Sequence, residues 1–107
     1  MREKINLENI KKKVKGSWDP VDIAEIDDYR MKAYIAEGEY PKMHKHNKDK
    51  LFFVLEGDLE VIFEDYSVKL KENEGYIVKA GEKHRSKSSK KSIIMMIEHR
   101  KFAQINV

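Results

Sequence analysis

The sequence predicts an all-β fold, an antiparallel sandwich or barrel. Two observations carry that prediction. From Val21 onward apolar and polar residues alternate at period two, and turn-forming groups such as "DD", "EGD" and "AGEK" separate the apolar segments at close spacing. Eight to ten short strands joined in this way have the rhythm of an antiparallel sandwich or barrel.

The elements follow in order. Residues 4–14, "KINLENIKKKV", place Ile5, Leu7, Ile10 and Val14 at mixed spacing, so residues 1–20 are read as an N-terminal arm or short helix ahead of a β-domain at 21–107. Trp18, in "GSWDP", is expected to anchor that arm rather than to serve as a binding platform. Val21 and Ile23, then Tyr29, Met31, Ala33 and Ile35, form two alternating runs around Asp27 and Asp28. After "EGEYP" comes a segment with His44 and His46 that leads into "LFFVL", apolar on both faces. One of those faces is expected to fill the interior and the other to meet a second sheet or a second subunit. "LEVIFE", "VKL" and "YIVKA" supply further strands; a turn at "AGEK" leads to His84, and "SIIMMIEH" and "KFAQINV" close the chain. Met31, Met95 and Met96 are expected as core or interface filler, and His99 as a surface residue.

Composition removes several classes of function. The 107 residues contain no cysteine, so disulfides and thiolate ligands are excluded. A metal would have to be held by His, Asp or Glu, which points to Zn, Fe, Mn, Ni or Cu. The longest apolar run, "SIIMMI", is far shorter than a membrane span, and the first residues lack the apolar stretch of a secretion signal, so a cytoplasmic location is expected. The net charge of +3 is a small excess over two large opposing sets. The basic clusters at Lys11–Lys15 and Lys83–Lys91 carry no interleaved aromatics, which argues for solvated faces or turns and against nucleic-acid binding. Abundant Lys, Glu and Ile with a single Gln suggest a thermophilic source.

The chemistry is concentrated in the histidines. On a strand, residues i and i+2 share a face, so His44 and His46 can present both imidazoles to one ion. His84 follows a later turn that could bring a third alongside them, leaving open positions on the ion for water or substrate.

The spacing Gly38, five residues, His44, one residue, His46, three residues, Lys50, six residues, Gly57 resembles the first motif of the cupin family. "NEGYIVKAGEKH" is similar to the second, ending in Gly81 and His84. The resemblance covers about residues 29–98 and is closest to small single-domain cupins of the mannose-6-phosphate isomerase-like kind. It implies a jelly-roll β-barrel, commonly dimeric, with a divalent transition metal held by three His and one Glu. Carried over residue by residue, the histidines are His44, His46 and His84. Lys50 stands where the family has Glu, Asn73 where it has Gly, Lys79 where it has Pro and Ser88 where it has Asn.

Lys50 is the departure with consequences. By strand parity it points inward with the histidines, ahead of Phe52 and Val54. A divalent ion and an ammonium 4 Å apart repel by roughly 8 kcal/mol at an effective dielectric near 20. Three outcomes follow. Lys50 could swing toward Asp49, Glu39 or Glu56. A one-residue bulge in "HNKDK" could instead turn Asp49 inward as a fourth ligand. Or Lys50 could serve the pocket directly by receiving a small anionic metabolite, such as a carboxylate or sugar phosphate. Lys50, Asp49 and Tyr76 are the candidate acids or bases. The expected function is a metal-binding cupin of isomerase or dioxygenase type acting on such an anion; the alternative is a metal-free binding or sensor module with Lys50 in its pocket.

Overall fold

Side chains alternate in and out along β4 (Lys50–Glu56): Lys50, Phe52 and Val54 are buried, whereas Leu51, Phe53 and Leu55 are half-covered on the other face. In this computed structural model, which describes residues 4–107, that alternation organises two hydrophobic layers on opposite faces of one sheet. The fold is mostly antiparallel β with one short N-terminal helix, as expected. The order is α1 (Leu7–Lys13), β1 (Val21–Ile26), β2 (Tyr29–Glu39), β3 (His44–His46), β4, β5 (Asp58–Ile62), β6 (Ser67–Lys71), β7 (Gly75–Val78), β8 (Arg85–His99) and β9 (Gln104–Asn106).

The larger sheet runs β1-β2-β8-β4-β7, with β5 paired to β8 and β6 to β5. β8 is its axis. Its C-terminal half pairs with β4, and its N-terminal residues Arg85 to Lys87 pair with β5. A second, two-stranded sheet joins β3 to β9. The interior layer holds Tyr34, Phe52, Val54, Leu59, Val61, Ile94 and Met96. At roughly 25 cal/mol per Å2 of apolar surface removed from water, these large side chains supply the main drive for folding.

The second layer explains the helix. Seven residues are too few to be helical alone in water. Asn6 caps the first turn by accepting from the Asn9 backbone N–H at 2.8 Å, and Lys11, Lys12 and Lys13 complement the dipole at the other end. Packing does the rest, since Ile10 and Val14 bury against Ala33, Ile35 and Ile93 on the outer face of the sheet. The arm is then tied down where the Trp18 backbone N–H donates to the Ile35 carbonyl at 2.7 Å.

Two expectations change here. The strand expected from Ser92 begins at Arg85, so the basic "RSKSSKK" stretch is a strand whose Ser86 and Ser88 turn inward while Lys87, Lys90 and Lys91 face solvent. Pairing with β2 and β5 overrides its weak intrinsic strand preference. The bulge is also elsewhere: β4 shifts register between Val54 and Glu56, not ahead of Lys50. Gly57 follows it at φ +88°, where a Cβ would lie 2.1 Å from the Ser92 hydroxyl, so both conformation and space demand glycine. Asn73 stands at φ 68°, a left-handed turn that Asn accepts.

Candidate metal centre and its cavity

The three histidines are brought together by backbone pairing as much as by sequence. His44 and His46 share one face of β3, and His84 sits opposite His44 as a reciprocal pair, each N–H donating to the other's carbonyl at 2.9 Å. The Gly81 N–H donates to the His46 carbonyl at 2.9 Å and so holds the preceding turn in place. The rings lie 4.5 to 5.1 Å apart, and one nitrogen from each falls within 4.8 Å of the others.

Two of the three rings are oriented by backbone carbonyls. His44 Nδ1 donates to the Lys42 carbonyl at 3.0 Å and His84 Nδ1 to the Glu82 carbonyl at 2.9 Å. A carbonyl only accepts, so both rings carry the proton on Nδ1 and keep a lone pair on Nε2. His84 Nε2 and both nitrogens of His46 are buried without a hydrogen-bond partner among the described residues. Leaving such groups unsatisfied costs about 1–3 kcal/mol each. Burial also keeps the rings neutral: it holds His44 below the ordinary imidazole range, drives His84 down to about 4 and pushes His46 lower still, with the Lys50 charge adding to the effect. Three neutral imidazoles with converging, unpartnered nitrogens fit a borderline divalent metal.

Lys50 points inward, as parity requires, but its partner is none of the three expected. Asp49 is exposed, accepting from the Ala80 backbone N–H at 2.9 Å and from Lys79 at 3.2 Å; Glu39 pairs with Arg85 and Glu56 with Lys11. The inward register for Asp49 is therefore overturned: Lys50 pairs with Val78 and Glu98 in an unshifted ladder, and Asp49 lies outside the histidine group. The ammonium instead sits 3.5 Å from Glu98, whose other oxygen accepts from Arg30 at 2.8 Å. Arg30, Glu98 and Lys50 are direct cross-strand partners on β2, β8 and β4, one charged rung across the interior. Phe102 caps the group, 4.4 Å below the Lys50 ammonium and 4.6 Å from His46. Burial lowers the lysine to about 8, partly offset by Glu98.

Glu98 was missed, although a signal was present. It shares parity with Ile94 and Met96 in "SIIMMIEH", which marks it as inward-facing. Tyr76 also faces inward, opposite Phe52, but packs edge-on to Phe63 at 6.1 Å and is not part of the cavity beside the histidines. That cavity has a volume of about 180 Å3 and is walled by Trp18, Tyr34, Tyr40, His44, Lys50 and Phe52 among others. Trp18 thus does two jobs, anchoring the arm and lining the cavity. His99 is only half-buried, on the sheet's edge against Tyr29.

The fold is a small antiparallel jelly roll with a three-histidine cluster that could hold a metal, and His44 of that cluster lines the cavity beside it. The chain matches the cupin domain over residues 31–98, and it belongs to the cupin family. It is 32% identical over 96 residues to the uncharacterised protein YdbB of Bacillus subtilis, a match spanning 89% of this chain and 85% of that one. Among solved structures it is similar to a cupin-2 domain protein from Shewanella frigidimarina (34% identity, TM-score 0.84, 90% of this chain and 94% of the other). Protein NMB1881 from Neisseria meningitidis is similar as well (31% identity, TM-score 0.81, 91% and 99%). Among the described residues, no helix is long and apolar enough to cross a membrane.

Proposed function

We propose that the protein holds one divalent transition metal through His44, His46 and His84 and binds a small anionic metabolite in the adjoining cavity, with Lys50 facing the anion. The observation that carries this reading is the set of buried imidazole nitrogens that converge without partners. When bound, such a metal would act as a Lewis acid toward a coordinated oxygen, or support oxygen chemistry if it were iron. The residues of the chain do the remainder. The Lys42 and Glu82 carbonyls fix the tautomers of two ligands. Phe102 and Phe52 limit water around Lys50. Glu98 offsets the ammonium, so that lysine and metal can share one interior. With Lys50 in place of an acidic ligand, the centre keeps its full positive charge and favours an anion. Isomerase-like and dioxygenase-like reactions both fit this arrangement.

The lysine also favours a second reading, a metal-free anion-binding or sensor module. Thermal stability against a panel of divalent metals and anions separates the two. A metal protein is expected to gain from metal first and from anions only once metal is present; stabilisation by carboxylates or phosphates in excess chelator, with no response to any metal, would establish the second reading instead.

A homodimer is part of the same proposal. The outer face of the sheet beyond α1 carries Leu51, Phe53, Met95 and Ile97 half-covered and Ile77 at 53% exposure, an apolar strip suited to a second copy. Light scattering at micromolar concentration should give twice the chain mass; a monomeric mass would overturn this.

A further inference from the structure

We propose that the cavity selects a small, flat monocarboxylate of the aromatic or conjugated kind, its plane against Trp18 and its carboxylate directed to Lys50. This rests on the reading above that the cavity beside the histidines is the substrate site, and it names the class of substrate.

Size sets the first limit. About 180 Å3 is well below the ~300–1,000 Å3 of drug-sized pockets. That is room for a single ring with its carboxylate and not for a larger ligand. The wall sets the second. Trp18 lies 5.7 Å from the Tyr34 ring and 5.5 Å from Tyr40, and Tyr40 lies 5.4 Å from His44, so aromatic surface runs unbroken from the arm to the histidine cluster. Flat π-faces gain from stacking on such a wall beyond the area they bury, a gain that a ligand of the same size without a π-face lacks.

Charge sets the third limit. Lys50 is the cationic side chain among the residues lining the cavity, and its ammonium already has Glu98 at 3.5 Å on one side. An ammonium shared with Glu98 leaves a single charge-assisted contact for a ligand, which suits one carboxylate better than a phosphate dianion.

The backbone of Trp18 supports a functional placement. It stands at φ 59°, a left-handed conformation that is costly for a bulky side chain. The strain is held by its own N–H on the Ile35 carbonyl and by its indole N–H on the Glu37 carbonyl at 3.2 Å. In that conformation the ring lines the cavity. Trp18, Pro20 and Gln104 of the wall lie outside residues 31–98, so the chain ends add to a wall that the shared cupin domain only partly supplies.

Trp18 is the sole tryptophan of the chain, so its emission reports on the cavity directly. Benzoate and sorbate, titrated into chelated and into zinc-loaded protein, should change that emission saturably; acetate and inorganic phosphate should bind at least about tenfold more weakly. Calorimetry should show Lys50→Met weakening benzoate by about tenfold or more, the loss of one charge-assisted hydrogen bond. Tyr40→Leu, which leaves the arm's anchor intact, should weaken benzoate while leaving acetate unchanged. Phosphate or acetate binding as tightly as benzoate would overturn the aromatic preference while leaving the anion site standing. No response to any of these anions in either form would remove both.

Discussion

Replacing Glu98 with leucine is expected to destabilise the protein by about 3–5 kcal/mol, the usual cost of breaking a buried ion pair by removing one partner. For a domain of this size that lowers Tm by about 12 °C or more. The carboxylate and the ammonium are 4% and 7% exposed, so water does little for either charge once the other is gone. Arg30 would lose its partner as well. The double variant Lys50→Met, Glu98→Leu should recover part of the loss, because it removes the buried ammonium along with its carboxylate and leaves only the partly exposed Arg30 without its partner. The pH dependence has a definite sign. Lys50 already titrates near 8, below the ordinary lysine value, because burial penalises its charged form. The unfolded chain therefore holds more protons between about 8 and 10.4, and stability rises with pH across that window. Without Glu98 the lysine falls further and the window opens toward lower pH, so the deficit of Glu98→Leu should shrink as pH rises from 6 to 9. A Glu98→Leu protein as stable as the native one would mean that the charged rung contributes nothing.

The second large effect is acid sensitivity of the metal-free protein. Burial holds all three imidazoles below their unfolded value of about 6.5, with His84 at about 4. These are bases with depressed values, so the unfolded state binds more protons as pH falls through that interval. Stability should be complete above pH 6.5 and be lost progressively from 6.5 down through 4. Thermal unfolding in chelator between pH 7.5 and 4.5 reads this directly, and His84→Leu should flatten the curve. Added zinc should raise Tm at pH 7.5 and lose its effect in acid, since protons compete for the same nitrogens. A metal-free protein whose Tm is flat from 7.5 to 4.5 would contradict the burial of neutral imidazoles.

Much of this was legible in the residues because strand parity is a local rule. The i, i+2 spacing put His44 and His46 on one face, and the same parity put Lys50 inward with Phe52 and Val54. The outward Asp49 follows from it too, once no bulge intervenes. Long-range pairing was the illegible part. That Lys50 stands opposite Glu98, and Glu98 opposite Arg30, depends on the register of three strands far apart in sequence. The cavity wall was hidden for the same reason: Trp18 and Pro20 arrive from the arm, and Gln104 from a tail held by three residues of β9. The N-terminal half of β8 was obscured by composition, since its Lys and Ser residues read as a solvated turn until β2 and β5 supply the ladder.

The central claim, that three imidazoles suffice to hold a metal with lysine in the place of an acidic ligand, is tested most directly by elemental analysis. The untagged protein, loaded with zinc, desalted and compared with His84→Gln treated identically, is expected to retain close to one zinc per chain while the variant retains little. Equal and negligible zinc in both would contradict the account and leave the cavity as a metal-free anion site.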